Sequence, residues 1–124
     1  AEKLPFEDKS FDNIFCSFVW RNISDTDKAL GEIYRVLKPG GKFVLLDMTR
    51  PKNSILKILH KIGSFKILHL IGLLTFNLKE YRFLYRSLDF YPQPENHLKM
   101  DNFININIER MGLFGFVYLA VFTK

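Results

Sequence analysis

The chain has 124 residues, a length typical of one domain with one hydrophobic core. Hydrophobic residues make up 48% of it and charged residues 25%, which excludes a wholly disordered chain. The single cysteine, Cys16, excludes an internal disulfide and a cysteine-based zinc site, and it fits a reducing compartment. Because the first residues are polar and no apolar run reaches 18 residues, we expect an intracellular protein without a signal peptide or membrane span.

The first third of the chain predicts a loop, a strand and a helix. Residues 1–13 are mostly polar and predict the loop, and the continuous apolar run over 14–20 predicts a strand buried on both faces. Ser24 and Asp27 have the spacing of a capping box, with Asp in place of the usual Glu. Apolar residues then recur at helical spacing through about Lys38.

The next segment predicts a second strand and a long apolar helix. The glycine pair at 40–41 predicts a helix end rather than a phosphate site, and residues 42–48 predict a second buried strand. A strand, a helix and a strand in this order predict a right-handed parallel crossover, so the fold class is α/β. Residues 54–76 predict a helix that is broken near Gly63 or Gly72.

The last third predicts one more helix and two strands. Residues 79–90 predict the helix, which we expect to end at the pair Pro92 and Pro94. Residues 103–124 show first alternating and then largely apolar character, with a glycine-containing connection at 111–115. We therefore expect an antiparallel hairpin at the end of the chain.

The net charge of +5 is unevenly distributed. Residues 50–86 carry eight Lys and Arg side chains against one acid, Glu80, whereas the rest of the chain carries ten basic and twelve acidic side chains. Large aliphatic residues lie between these basic residues, which favours an anionic membrane surface or an amphiphilic ligand over nucleic acid. His60 and His69 lie nine positions apart, on opposite sides of a straight helix, so we expect no metal site.

Several short motifs are shared with one enzyme family. They are Leu4-Pro5-Phe6, Ser10-Phe11-Asp12, Arg21-Asn22, Asp27-Lys28-Ala29-Leu30, the run from Tyr34 to Gly41, and farther on Tyr81, Leu84 and Ser87. On these motifs the chain resembles the class I S-adenosylmethionine-dependent methyltransferases and, within them, the ubiquinone/menaquinone biosynthesis C-methyltransferases. The resemblance implies that residues 1–124 form the C-terminal half of a Rossmann-like sheet. Its strands would run in the order 4-5-7-6 and end in an antiparallel hairpin, and residues 50–90 would form a helical lid over the substrate.

The chain departs from the family pattern at several positions. Val19 stands at a glycine position and Trp20 precedes Arg21, which should narrow the substrate side of the site. No G-x-G-x-x-G turn, which would hold the methyl donor, is present. We therefore expect a partial methyltransferase domain that needs a missing N-terminal half or a partner chain. The strand at 14–20 should then expose an apolar edge.

The resemblance also implies roles for individual residues. The expected roles are catalysis for Arg21 and Asn22, contact with S-adenosylmethionine for Ala1 and Ser17, and substrate binding for Trp20 and Tyr81. Each residue also has a purely structural interpretation. Arg21 could pair with Asp25 or Asp27 at the helix start, Ser17 could be a small core residue, and Ala1 a frayed terminus. Asp47 could be an acid that supports the contact residues at the mouth of the site, or simply a strand-end cap.

The expected function is C-methylation of a polyprenylated benzoquinol or naphthoquinol, with S-adenosylmethionine as the methyl donor. The expected partners are a lipophilic quinol and an anionic membrane surface, without nucleic acid. The expected location is the cytoplasm, at the inner face of the membrane, or the matrix side of a mitochondrion. Two alternatives stay open: another small lipid or phenol as acceptor, or an incomplete half that acts as an assembly module.

Overall fold

A computed structural model describes residues 1–91, 93–98, 102–112 and 115–124, without the side chains of Phe90 and His97. The elements follow the predicted order of strand, helix, strand, two helices and a final hairpin, with one short helix added. They are β1 (Phe11–Ser17), α1 (Thr26–Val36), β2 (Leu37–Met48), α2 (Ser54–Leu74), α3 (Leu78–Phe90), α4 (Pro94–His97), β3 (Asn105–Met111) and β4 (Val117–Thr123).

The four strands form one mixed sheet in the order β1-β2-β4-β3. β1 pairs with β2 in parallel, with Ile14 opposite Phe43, and β4 pairs antiparallel with both β2 and β3. This is the predicted order 4-5-7-6 with a terminal antiparallel hairpin, so the α/β class and the sheet topology are confirmed.

One face of this sheet carries the core. Leu30 and Ile33 of α1 pack, with Trp20, on alternate residues of the strands, among them Phe43 and Phe122. On the opposite face the side chains of β2 and β4, such as Val44 and Val121, are only half-buried. The two faces therefore differ sharply in how well they are covered.

The first strand lies at the edge of the sheet, and its predicted bounds and burial were wrong. It runs over Phe11–Ser17 rather than 14–20, and Phe15 on its outer face is 75% exposed. Phe18 adopts a left-handed backbone with φ +56°, a conformation uncommon for an aromatic residue. The chain consequently leaves the strand before Trp20 and turns that side chain into the core. The predicted exposed apolar edge is present.

The helix after this strand begins and ends differently from the prediction. Asp25, not Ser24, caps α1, since its Oδ1 accepts a hydrogen bond from the Lys28 amide at 3.0 Å. α1 ends at Val36 and β2 starts at once, so the glycine pair lies inside the strand rather than at the helix end. A Cβ on Gly41 would lie 2.9 Å from the backbone oxygen of Asp12. The missing side chain therefore permits a close approach of β1 and β2 where their register shifts.

The long apolar helix α2 is continuous from Ser54 to Leu74, contrary to the predicted break. A glycine inside a helix weakens it by about 1 kcal/mol but leaves its hydrogen bonds intact. Gly72 also has a packing reason, because its Cβ would lie 3.1 Å from the Cα of Leu78 in α3. None of the described helices is long and apolar enough to cross a membrane.

Helix α3 ends at Phe90, and one of the two prolines predicted to end it lies within the described residues. Pro92 lies outside the described residues, and Pro94 begins the short helix α4. The predicted strand connection at 111–115 includes Leu113 and Phe114, which also lie outside them. β3 itself continues through Met111.

Candidate functional site

A buried ion pair lies where β1 and β2 end. Arg21 belongs to a 3₁₀ turn, Trp20–Asn22, that follows β1, and its guanidinium contacts the carboxylate of Asp47 near the end of β2. The side chains of the two residues are 6% and 1% exposed. Asp47 also accepts hydrogen bonds from the amides of Arg21 at 3.2 Å and Met48 at 2.7 Å. A buried carboxylate needs such compensation, so the pair fixes Arg21 at the carboxyl end of the strands.

This pairing bears on the structural interpretations of Arg21 and of Asp47. Arg21 pairs with neither acid at the start of α1 but with an acid 26 positions along the chain. Asp47 acts as an acid behind the mouth of the site rather than only as a strand-end cap, because its buried carboxylate holds the Arg21 guanidinium. Both side chains lie at the carboxyl ends of the parallel strands, where ligands commonly bind in α/β sheets.

Helix α3 completes the surroundings of Arg21. The Ser87 Oγ accepts a hydrogen bond from the Arg21 Nε at 3.2 Å, and the Ser87 hydroxyl donates to the Leu84 carbonyl at 2.8 Å. A cavity of about 320 Å³ opens at this point. Its lining consists of Arg21, Phe83, Arg86, Ser87 and Tyr91. The cavity thus combines two cations and a hydroxyl with aromatic walls, which suits a flat ring that bears oxygen substituents.

Aromatic hydroxyl groups and a thiol surround the ion pair on its inner side. Burial, together with the Asp47 charge, raises the pKa of Tyr91, Tyr118 and Cys16. These groups therefore stay neutral near neutral pH. The carboxylate of Asp47 and the guanidinium of Arg21 are the charged groups at the centre of the site.

The other predicted site residues lie around this end of the sheet but do not all converge. Ser17 and Ala1 are exposed. The neighbour of Ala1, Glu2, accepts a hydrogen bond from the Asp25 amide at 2.8 Å, which brings the first residues to the start of α1. Asn22 is exposed and does not line the Arg21 cavity.

The two predicted substrate-binding residues occupy different places. Trp20 has no exposed surface and packs on Phe43, with ring centroids 5.6 Å apart, so it supports the site from the core side. Tyr81 lies on α3 and lines a separate cavity with Phe65 of α2. The predicted direct contacts of Trp20 and Tyr81 with a substrate stay predictions.

Sequence reasoning overlooked Arg86 as a site residue. The charge pattern places Arg86 only in the basic segment, yet its side chain lines both the Arg21 cavity and the one beside Tyr81. Its spacing from Arg82, one helical turn earlier, was the available signal.

A second buried arginine ties the helices to the sheet. Arg50 is 2% exposed, so it does not belong to an exposed basic surface as the charge pattern suggested. Its guanidinium donates to Asp89 at 3.0 Å and Ser64 at 2.8 Å, and lies 3.1 Å from the His60 Nδ1. Burial, reinforced by the Arg50 charge, lowers the pKa of His60. One cation thus connects the end of β2 with both α2 and α3.

Helix α2 presents an unusually apolar outer surface. Most of its large aliphatic residues are at least half exposed, among them Ile55, Ile58, Leu59, Ile67, Leu70 and Leu74. Exposed lysines, such as Lys57 and Lys66, lie between them. Exposed apolar patches of this kind are typical of surfaces that contact a membrane, a ligand or another protein.

Comparison with known proteins agrees with this geometry. The model of the ubiE/COQ5 methyltransferase family matches residues 1–112. A protein of Rickettsia bellii named "Ubiquinone/menaquinone biosynthesis C-methyltransferase UbiE" is 40% identical over 116 residues, which are 90% of this chain and 47% of that protein. Its namesake from Rickettsia felis is 44% identical over 96 residues, covering 77% of this chain and 39% of the relative.

A solved structure shares the fold at low sequence identity. It is a Thermotoga maritima protein described as a "SAM-dependent methyltransferase, possible histamine N-methyltransferase", and it superposes with a TM-score of 0.60 at 18% identity. That alignment covers 98% of this chain and 59% of the solved one. The chain spans about half the length of the curated relatives it matches. With the family model matched over most of its length, the chain belongs to the ubiE/COQ5 methyltransferase family.

Proposed function

We propose that this chain supplies the acceptor side of an S-adenosylmethionine-dependent C-methyltransferase whose substrate is a lipophilic quinol. The observation that carries the proposal is the Arg21 guanidinium, which is fixed by Asp47 and Ser87 at the wall of a cavity. The names of the Rickettsia relatives support a quinol as the acceptor.

Arg21 is placed to stabilise negative charge on a ring oxygen. A ring carbon becomes a methyl acceptor when the neighbouring hydroxyl loses its proton and its oxygen pushes electron density into the ring. A guanidinium held in place before the charge develops stabilises that phenolate without having to reorganise as water must. Formation of the new carbon–carbon bond breaks the bond between the methyl group and the donor sulfur, and the ring carbon then gives its proton to water, which restores the aromatic ring. Arg86 adds a second positive charge to the cavity, whereas Asn22, which does not line it, stays only a predicted catalytic residue.

The donor would lie beside the edge strand. S-adenosylmethionine supplies the methyl group on a sulfonium and leaves as a neutral thioether. Ser17 and Ala1 are exposed at this end of the sheet, which leaves space for a ligand against β1. We assign these two residues to donor contacts and the remaining contacts to the portion of the relatives that this chain does not match.

The segment 50–90 forms a lid that contacts both membrane and substrate. Its outer aliphatic residues would enter the lipid interface while its exposed lysines face anionic headgroups. Lys61 contributes less to this attraction, because its Nζ is 3.0 Å from the Asp89 carboxylate. The hydrogen bond between Ser87 of this segment and Arg21 connects the lid to the cation of the site.

A segment exchange tests the proposal. The matching 116-residue portion of the Rickettsia bellii relative is replaced by this chain, and the hybrid is incubated with ¹³C-methyl-labelled donor and reduced quinols. We expect a product labelled on a ring carbon, identified by NMR, and a lower rate when Ser87 is replaced by alanine. Donor binding without methyl transfer to any quinol, while the parent enzyme is active, would contradict the proposal.

The second candidate, an assembly module, rests on the exposed edge of β1. That edge and the exposed Phe15 could pair with another chain irrespective of any catalysis. Micromolar binding of S-adenosylmethionine by the 124-residue chain, measured by calorimetry, would argue against a purely structural role.

A further inference from the structure

A second cavity lies between α2, α3 and the end of the sheet. Its volume is about 440 Å³, within the range of roughly 300–1,000 Å³ that is common for ligand pockets. The wall consists mainly of aliphatic and aromatic side chains. They include Met48 and Phe116 from the sheet end, Leu59 and Ile67 from α2, and Leu84 and Leu88 from α3.

The two polar side chains in the wall are already engaged. The Ser64 Oγ accepts a hydrogen bond from Arg50 at 2.8 Å, and the His60 Nδ1 lies 3.1 Å from the same guanidinium. The His60 ring stacks on Phe116 with centroids 5.2 Å apart. A ligand in this cavity would therefore find apolar contacts and few free hydrogen-bonding groups, which selects for hydrocarbon.

The cavity opens towards the exposed apolar side of α2. Leu59 and Ile67 line it, and each is 60% exposed. A hydrocarbon chain longer than the cavity could thus continue along the exposed aliphatic residues of α2.

Helix α3 is a shared wall of this cavity and the Arg21 cavity. Leu84 and Leu88 face the apolar cavity, whereas Phe83 and Ser87 face the polar one. Residues i and i+4 project from nearly the same side of a helix, and a step of one residue turns the direction by about 100°. The two cavities therefore lie on neighbouring sides of one helix.

We propose that the cavity between α2 and α3 binds the first isoprenoid units of the quinol side chain, while the quinol ring occupies the Arg21 cavity. This inference rests on the proposed function for the identity of the ligand. The cavity itself and its apolar character do not depend on it.

Substitution of Gly63 can fill the cavity without disturbing its surroundings. It lines the wall, and a Cβ built on it would have no atom within 4 Å. A Gly63→Leu substitution should fill the space without displacing the backbone. Gly63→Ala is the matched control, because it adds one methyl group at the same place.

Binding is read directly with geraniol as the probe. The chain is labelled with [methyl-¹³C]methionine, and the Met48 signal, assigned by Met48→Leu, reports on the cavity wall. Met111 at the end of β3 serves as an internal reference. We expect a saturable shift of Met48 but not of Met111, at least tenfold weaker binding in Gly63→Leu, and binding within threefold of wild type in Gly63→Ala. Ile67→Trp at the cavity mouth should also weaken binding, which gives a second variant if Gly63→Leu misfolds.

Activity of the hybrid enzyme separates the two proposals. The side-chain site predicts that Gly63→Leu raises the KM for a prenylated quinol at least tenfold and leaves the KM for a quinol without a side chain within threefold. The side-chain site would be overturned if geraniol caused no Met48 shift, or the same shift in Gly63→Leu as in the wild type. If the hybrid enzyme nevertheless methylated both quinols, the proposed function would stand. A saturable Met48 shift without methylation of any quinol would support the apolar binding site and contradict the proposed function.

Discussion

The buried pair of Arg21 and Asp47 leads to a prediction about stability. Replacing either residue by a similarly sized apolar one leaves the other charge buried, since their side chains are 6% and 1% exposed. Loss of one partner from such a pair costs about 3–5 kcal/mol. Because the Arg21 Nε keeps its bond to Ser87 and Asp47 keeps two amide donors, we expect about 3 kcal/mol for each single variant. With a typical urea dependence, the unfolding midpoint should fall by roughly 1–3 M.

A double-mutant cycle in urea measures the coupling itself. Arg21→Met and Asp47→Leu together remove both charges, so the double variant should return to within about 1 kcal/mol of wild type. The control is the exposed pair of Lys38 and Asp12, where Lys38→Met should cost less than about 1 kcal/mol. Additive losses in the Arg21 and Asp47 cycle, with a coupling below about 1 kcal/mol, would refute the inference that the two charges depend on each other.

Three further predictions concern the glycines, the lid and the membrane. Gly41→Ala should destabilise the chain in urea by about 1–3 kcal/mol, because its Cβ would meet backbone oxygen atoms within 3 Å, whereas Gly63→Ala should be neutral or stabilising. The fold lowers the pKa of His60, so as the pH falls below 6.5 the imidazole takes up a proton more readily in the unfolded chain than in the folded one. Stability should therefore decrease in that direction, and hydrogen exchange of α2 should lose part of this pH dependence in His60→Gln. Replacing Lys57 and Lys66 by glutamine should weaken co-sedimentation with anionic vesicles by roughly 30-fold at low salt, from about 1 kcal/mol for each lysine, and equal binding to neutral vesicles would contradict the basic lid.

The local patterns of the sequence predicted the elements and their order well. The hairpin of β3 and β4 was recognisable because alternate residues of β3, such as Ile106 and Ile108, face the core while Asn105 and Asn107 face outwards. Strand topology came from the family resemblance rather than from periodicity.

The predicted ends of elements were wrong where neighbouring residues are similar in type but differ in backbone conformation. The apolar run that ends at Trp20 predicted a longer strand, but a left-handed Phe18 turns its last residues into the core. Likewise Gly63 was a candidate helix break, although α2 runs through it. In both places the tertiary contacts, not the local propensity, determine the backbone.

The site could be predicted only in part, because its contacts join distant positions. Arg21 was identified from the motif, but its partners lie 26 and 66 residues away at Asp47 and Ser87. No periodicity within one element specifies such contacts. The same holds for Arg50, whose charge suggested an exposed basic surface and whose burial depends on the packing of α2 and α3.

The most direct test of Arg21 as the catalytic cation is the turnover of the hybrid enzyme in the Arg21→Met/Asp47→Leu background. That variant should keep its stability and its donor binding, since no buried charge is left unpaired. Loss of a positioned charge-stabilising donor typically lowers kcat by roughly 10²–10³, and we expect a decrease of that size, with Arg82→Met on α3 as the control near wild type. Turnover within threefold of the unmodified hybrid would contradict a catalytic role for Arg21.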